Sequence, residues 1–217
     1  MVSKLVSRPH SKLQFLSLLT AFVLLSGAAV QAQTDVALSL YGAFSGSTSG
    51  NGTVQSPSNS AGGMLELRHI SNPLVGYDVT YSYNRDNQTY SLGAIACPAG
   101  TTPPCNPLAP GAVSANAHEL SGDWVVSVHA ANLRPFALGG VGLLLNEPSG
   151  GQSGTTSATK PVFIYGAGLD WGLVPHFGLR FQYRGNLYHA PGLSTAFSST
   201  GKFTQTAEPM IGVYLRL

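Results

Sequence analysis

The amino-acid sequence predicts an all-β fold: an eight-stranded antiparallel up-and-down transmembrane β-barrel with short periplasmic turns and long extracellular loops. Three observations point there. The final stretch, Phe203 to Leu217, alternates with a period of two, because Ile211, Val213, Leu215 and Leu217 are aliphatic while Glu208, Met210, Gly212, Tyr214 and Arg216 are polar, small or mixed. One greasy face suits the closing strand of a cylinder that meets lipid outside and must leave no open edge. Charged residues are only 9% of the chain, against about a quarter in a typical soluble domain, yet no apolar run past the N-terminal segment approaches the roughly 18 residues of a spanning helix. Finally, the connections between alternating segments are long and short by turns, as when the two rims of a barrel face different compartments.

At the start of the chain, Lys4, Arg8 and Lys12 precede an apolar core around Phe15–Leu25 and the small-x-small pattern Val30-Gln31-Ala32. This is the pattern of a secretory signal peptide, residues 1–32, which leaves 33–217 as the barrel domain. The formal +2 charge includes those three basic residues; without them, 8 Lys+Arg stand against 9 Asp+Glu, a net of −1. No basic surface is left to argue for nucleic acid as a partner.

The first strand, about Asp35–Phe44, sets Val36, Leu38, Leu40 and Phe44 against Ala37, Ser39 and Tyr41. A Gly/Ser/Asn-rich loop leads to Leu65 and Leu67 alternating with Glu66 and Arg68, then to the short turn Ser71-Asn72-Pro73. In the third strand Tyr77, Val79, Tyr81 and Tyr83 oppose Asp78, Thr80, Ser82 and Asn84. A long loop holds both cysteines. The fourth strand places Leu120, Trp124, Val126 and Val128 outward and Glu119, Ser121, Asp123 and Ser127 inward, and ends in the turn Asn132-Leu133-Arg134-Pro135. The fifth, Phe136–Leu145, has apolar residues on both parities, and we assign Phe136, Leu138 and Leu144 outward. After a Gly/Ser/Thr loop, Phe163, Tyr165, Leu169 and Trp171 face out against Ile164, Gly166, Gly168 and Asp170. The turn Leu173-Val174-Pro175-His176 leads to Phe177, Leu179, Phe181 and Tyr183, opposed by Gly178, Arg180, Gln182 and Arg184. A loop around Ala190-Pro191-Gly192 precedes the closing strand. A sandwich or soluble barrel would also alternate, but with its apolar face inside.

Three passages, Gly76-Tyr-Asp-Val-Thr-Tyr-Ser-Tyr-Asn-Arg85, Tyr165-Gly-Ala-Gly-Leu-Asp-Trp171 with Leu179-Arg-Phe-Gln-Tyr-Arg184, and Ala207-Glu-Pro-Met-Ile-Gly-Val-Tyr-Leu-Arg-Leu217, resemble the small bacterial outer-membrane β-barrels of the outer-membrane protein A transmembrane-domain type. The resemblance implies a bacterial outer-membrane location, lipid as the surrounding partner, and delivery by periplasmic chaperones to the barrel-assembly machinery. It also implies an assembly signal at Gly212, Leu215 and Leu217, with Leu217 in place of the usual terminal Phe. Some barrels of this kind are lipid A deacylases, acyltransferases or proteases, which need a nucleophile, base and acid together. His69 and His118 fall on outward parities, His129 and His176 near short turns, and His189 beside Ser194 and Ser198 in the last loop, with no His-x-Ser-Asn signature.

The enclosed parity carries Glu66, Asp78, Glu119, Asp123, Asp170 and Glu208 together with Arg68, Arg180, Arg184 and Arg216. An arginine on the lipid face near the midplane would cost about 2–4 kcal/mol, and enclosed charges must pair. An internal ion-pair network is therefore expected, in an interior that eight strands leave just wide enough for side chains. The glycines Gly166, Gly168, Gly139, Gly140 and Gly142 are expected to make room there for the arginines. Cys97 and Cys105 can close a small disulfide loop worth about 2–3 kcal/mol, with free thiols or a metal pair as alternatives. Phe197 and Leu193 are the apolar exceptions among polar loops, a possible surface anchor. The expected function is a non-enzymatic outer-membrane barrel with an envelope-integrity or surface-loop role, without cofactor, metal or catalytic residues; a weakly conducting porin-like channel is the alternative, and a lipid A-modifying enzyme is third.

Overall fold

Strands form where β-branched and aromatic residues alternate with small or polar ones, and they stop where Gly, Pro, Asn and Ser cluster. The computed structural model describes residues 33–72, 74–93 and 109–217. Within them lie β1 (Gln33–Ser45), β2 (Thr48–Gly50), β3 (Thr53–Pro57), β4 (Ser60–Ile70), β5 (Val75–Leu92), β6 (Gly111–Ser127), β7 (Leu133–Pro148), β8 (Ala158–Val174), β9 (Phe177–His189) and β10 (Phe203–Arg216). The expected signal peptide and the Cys97–Cys105 pair both lie outside the described residues.

Leaving aside the short β2 and β3, each strand pairs antiparallel with the next, and β1 pairs with β10 from Asp35↔Arg216 to Ser45↔Thr206. That last pairing closes an eight-stranded barrel, as the alternation predicts. Closure removes the open edge that no bilayer could tolerate. The outward row carries the apolar residues: Leu40 is 71% exposed and Trp124 69%, whereas Arg180 is 0% and Glu208 4%. The inside of this protein is thus its charged side, the reverse of a soluble barrel.

Two parts of the sequence reading are corrected. Phe136, Leu138 and Leu144 face inward and are buried, while Val141 and Leu143 are exposed. The strand follows Arg134, which shares the parity of Phe136 and points into the interior. Phe136 then lies under the Arg68 guanidinium, 4.0 Å from its ring centroid. Gly168 makes this possible, since a Cβ there would come within 2.5 Å of Phe136 Cζ. Its space serves an aromatic ring rather than an arginine.

The loop between β1 and β4 is also more ordered than expected. Asn51 and Gly52 take positive φ of 50° and 73°, the type I′ geometry of a two-residue hairpin, and β2 pairs with β3 around them. β3 in turn pairs with β5, from Thr53↔Leu92 to Pro57↔Gln88. The β5–β6 ladder likewise continues to Tyr90↔Gly111, so the wall extends past the apolar band at the long-loop end.

Candidate functional site: the barrel interior

Inward positions of β1, β4, β5, β6, β7, β8, β9 and β10 bring charged and polar side chains into one shared interior, and these fall into two groups. The group nearer the short turns is centred on Asp170 of β8. Arg180 of β9 donates from Nε to Asp170 Oδ1 at 2.7 Å and from Nη2 to Oδ2 at 3.0 Å, a bidentate fork. Its Nη1 donates to Glu66 of β4. Arg134 of β7 donates to the same Asp170 Oδ2 at 2.8 Å, and to Asp35 of β1. Arg68 closes the ring, with Nη2 3.1 Å from Asp78 Oδ2 and 2.9 Å from Glu66 Oε1. Arg216 sits at the rim, its side chain 32% exposed and 3.8 Å from Asp35.

The second group is centred on Arg184 of β9. Its Nη2 donates to Glu119 Oε1 at 2.9 Å and Ser121 Oγ at 2.7 Å, and its Nη1 to Thr80 Oγ1 at 2.9 Å. Asp123 lies 3.6 Å away. Asn186 Nδ2 donates both to Glu119 Oε2 at 2.9 Å and to Glu208 Oε1 at 3.1 Å.

Nine of the ten expected network residues are buried in the interior and Arg216 sits at its rim, and the structure adds two that sequence reasoning missed, Asp35 and Arg134. Asp35 is next to the start of the first strand. Arg134 precedes Pro135 in what looks like a turn. Both were legible as inward by parity, Asp35 from Ala37 and Ser39, and Arg134 once Phe136 is turned inward. The first group balances, with Asp35, Glu66, Asp78 and Asp170 against Arg68, Arg134, Arg180 and Arg216. The second does not: Glu119, Asp123 and Glu208 face Arg184 alone, a net of −2.

The long-loop mouth holds a further correction. Leu193 is 0% exposed and Phe197 9%, so neither is a surface anchor. Both pack inward on Tyr90, Val113 and Ala115. Tyr90 Oη donates to Pro191 O at 2.9 Å and accepts from Leu193 N at 3.0 Å, and Gln55 Nε2 donates to Pro191 O at 2.8 Å. Asn51 Nδ2 donates to Ser199 O, and Thr156 N to Leu193 O. Residues 190–202 thus lie across the mouth, bound to the loops on either side. Burial, opposed by the bond from Leu193 and aided by the charge of Asp86, pushes the Tyr90 phenol up to about 12.

The histidines make no catalytic cluster among the described residues. His69 Nδ1 is 3.0 Å from Thr34 Oγ1 and His118 Nδ1 is 2.8 Å from Tyr81 Oη, both pairs on the outer wall. The His189 ring lies against Phe203, centroids 3.8 Å apart and tilted by 31°.

A closed eight-stranded barrel, apolar without and ionic within, defines the class: this chain has the fold of the small outer-membrane β-barrels. The outer membrane protein OprG of Pseudomonas aeruginosa overlays it with a TM-score of 0.57 at 10% identity, over 87% of this chain and 97% of that one. Neisserial surface protein A overlays it with a TM-score of 0.53 at 13% identity, over 85% of this chain and 98% of that one. No family model matches the chain, and no curated protein matches it either.

Proposed function

We propose that this protein is a non-enzymatic integral barrel of the bacterial outer membrane, exported by a cleaved leader at residues 1–32. Its role is to support envelope integrity or present its long-loop surface, not to pass solutes. One observation carries the reading: the interior is occupied twice over, by the ion pairs around Asp170 and Arg184 and by residues 190–202 across the mouth. The exposed apolar wall supports a lipid environment. Gly212, Leu215 and Leu217 at the closing strand are its proposed signal to the barrel-assembly machinery, reached through periplasmic chaperones.

Cell fractionation with gel mobility before and after boiling tests the address and the closure together. The expected result is an outer-membrane protein whose unboiled form migrates anomalously; a soluble fraction or unchanged mobility would overturn it. Purified protein in planar bilayers should give a flat trace. Discrete current steps would establish the porin-like reading in its place. Incubation with purified lipopolysaccharide should leave lipid A unmodified, and a product would establish the enzyme.

A further inference from the structure

We infer that the barrel interior holds one hard divalent cation, in the chamber bounded by Glu119, Asn186 and Glu208 beneath residues 190–202. The chamber has a volume of about 20 Å³, enough for one small guest. Neither lysine nor arginine lines it. Glu208 is 4% exposed and, among the described residues, no cation lies within 4.0 Å of it. Its Oε2 has no hydrogen-bond partner, and neither does Asn186 Oδ1, although Asn186 is 2% exposed.

Asn186 Nδ2 holds the two carboxylates together: with bonds of 2.9 and 3.1 Å, their bonded oxygens are at most 2.9 + 3.1 = 6.0 Å apart. Two buried carboxylates this close, with a single arginine between them and Asp123, leave negative charge that burial strongly disfavours. Water would satisfy the free oxygens without neutralising them. A divalent ion does both, and it offsets two of the three carboxylate charges, Asp86, Glu119 and Glu208, that line the chamber.

Asp86, Glu119, Glu208, Asn186 and Thr206 bring oxygen to the chamber, beside the amide nitrogen of Asn146. Thr206 Oγ1 lies on its wall, within 2.7 Å of Ser45 Oγ and 2.9 Å of Tyr188 Oη. Among the described residues, no three acid, histidine or cysteine side chains converge as a ready-made shell. Amide and hydroxyl oxygens would complete the set, hard ligands of the kind that Ca²⁺ and Mg²⁺ accept. The inference is independent of whether the barrel conducts.

The test uses barrel purified from membranes, dialysed against CaCl₂, MgCl₂ or choline chloride at matched ionic strength. The expected result is about one divalent ion retained per chain by elemental analysis, with a higher unfolding temperature in CaCl₂ or MgCl₂ than in choline chloride. Glu208→Gln should abolish both effects. Glu147→Gln, at an exposed position, should leave both intact. Should Glu208→Gln fail to fold, Thr206→Val, which keeps both carboxylates, should raise the Ca²⁺ concentration for half-saturation about tenfold. No retained ion together with equal unfolding temperatures in the three salts would overturn the inference. So would a protonated-carboxyl infrared band in the native protein that vanishes in Glu208→Gln, because a proton would then be doing the neutralising.

Discussion

Arg134 and Asp35 show how one side chain can hold two distant parts of this chain. Arg134 reaches both Asp35 of β1 and Asp170 of β8, and all three are nearly inaccessible. Removing one partner of a buried ion pair costs about 3–5 kcal/mol, since it strands the charge left behind. Arg134→Met is therefore expected to lower stability by about that amount, as read from urea unfolding of the barrel in detergent. Arg216→Met should cost under about 1 kcal/mol, because its side chain is one-third exposed and 3.8 Å from its partner. Equal losses in the two variants would refute the hierarchy. Neither Asp35 nor Arg134 stood out in sequence, one at the edge of its alternating run and the other masked by Pro135. Gly212 was legible only through a resemblance, yet the fold supplies its own reason: a Cβ there would meet Ser39 Oγ at 2.1 Å and Leu38 O at 2.6 Å, so β1 and β10 could not close over it.

Strand β7 and the segment 190–202 are the elements where alternation alone was insufficient, for different reasons. In β7 both parities are apolar, so hydrophobicity carries no direction; the inward glycines of β8 and the arginine two residues before Phe136 decide it. In 190–202, Leu193 and Phe197 are apolar for a local interior that only the extended wall of β5 and β6 creates. Tyr90 is the hinge of that interior. It lies beyond the outward Arg85 and Asn87, clear of the apolar band. Its phenol titrates near 12 in the fold, above the ordinary value of about 10, so the folded cap binds the proton more tightly than the open one. The stabilisation is full below pH 10 and is lost as pH rises from 10 towards 12. Amide exchange at Leu193 is expected to accelerate across that window beyond its intrinsic base catalysis. In Tyr90→Phe, which lacks the hydroxyl, exchange should be faster at neutral pH and show no such added step. An unchanged profile in Tyr90→Phe would show that the cap is held by packing alone.

Strand number, closure and the two-faced wall were legible because a bilayer imposes one rule on every strand: apolar residues outward at every second position. The rule can be tested along β5. Val79 lies between Tyr77 and Tyr81 on the outer face, and Asn87 points the same way further along. Val79→Arg is expected to cost about 2–4 kcal/mol, whereas an arginine beyond the band costs about 0–1 kcal/mol, so Asn87→Arg should refold like the native protein. Equal costs would misplace the band.

How firmly the cylinder is shut was not legible in sequence, because it depends on two closures at different depths. The ion pairs around Asp170 and Arg184 span the interior between β1, β4, β6, β7, β8 and β9, whereas residues 190–202 cover only the long-loop mouth. If the deeper closure suffices, replacing 192–200 by a short Gly-Ser linker should leave the planar-bilayer trace flat, although the cap is gone. Current steps in that variant, with none in the native protein, would assign the barrier to the loop. The arginines would then be stabilising the wall without blocking the path, and the interior would be a channel held closed from its mouth.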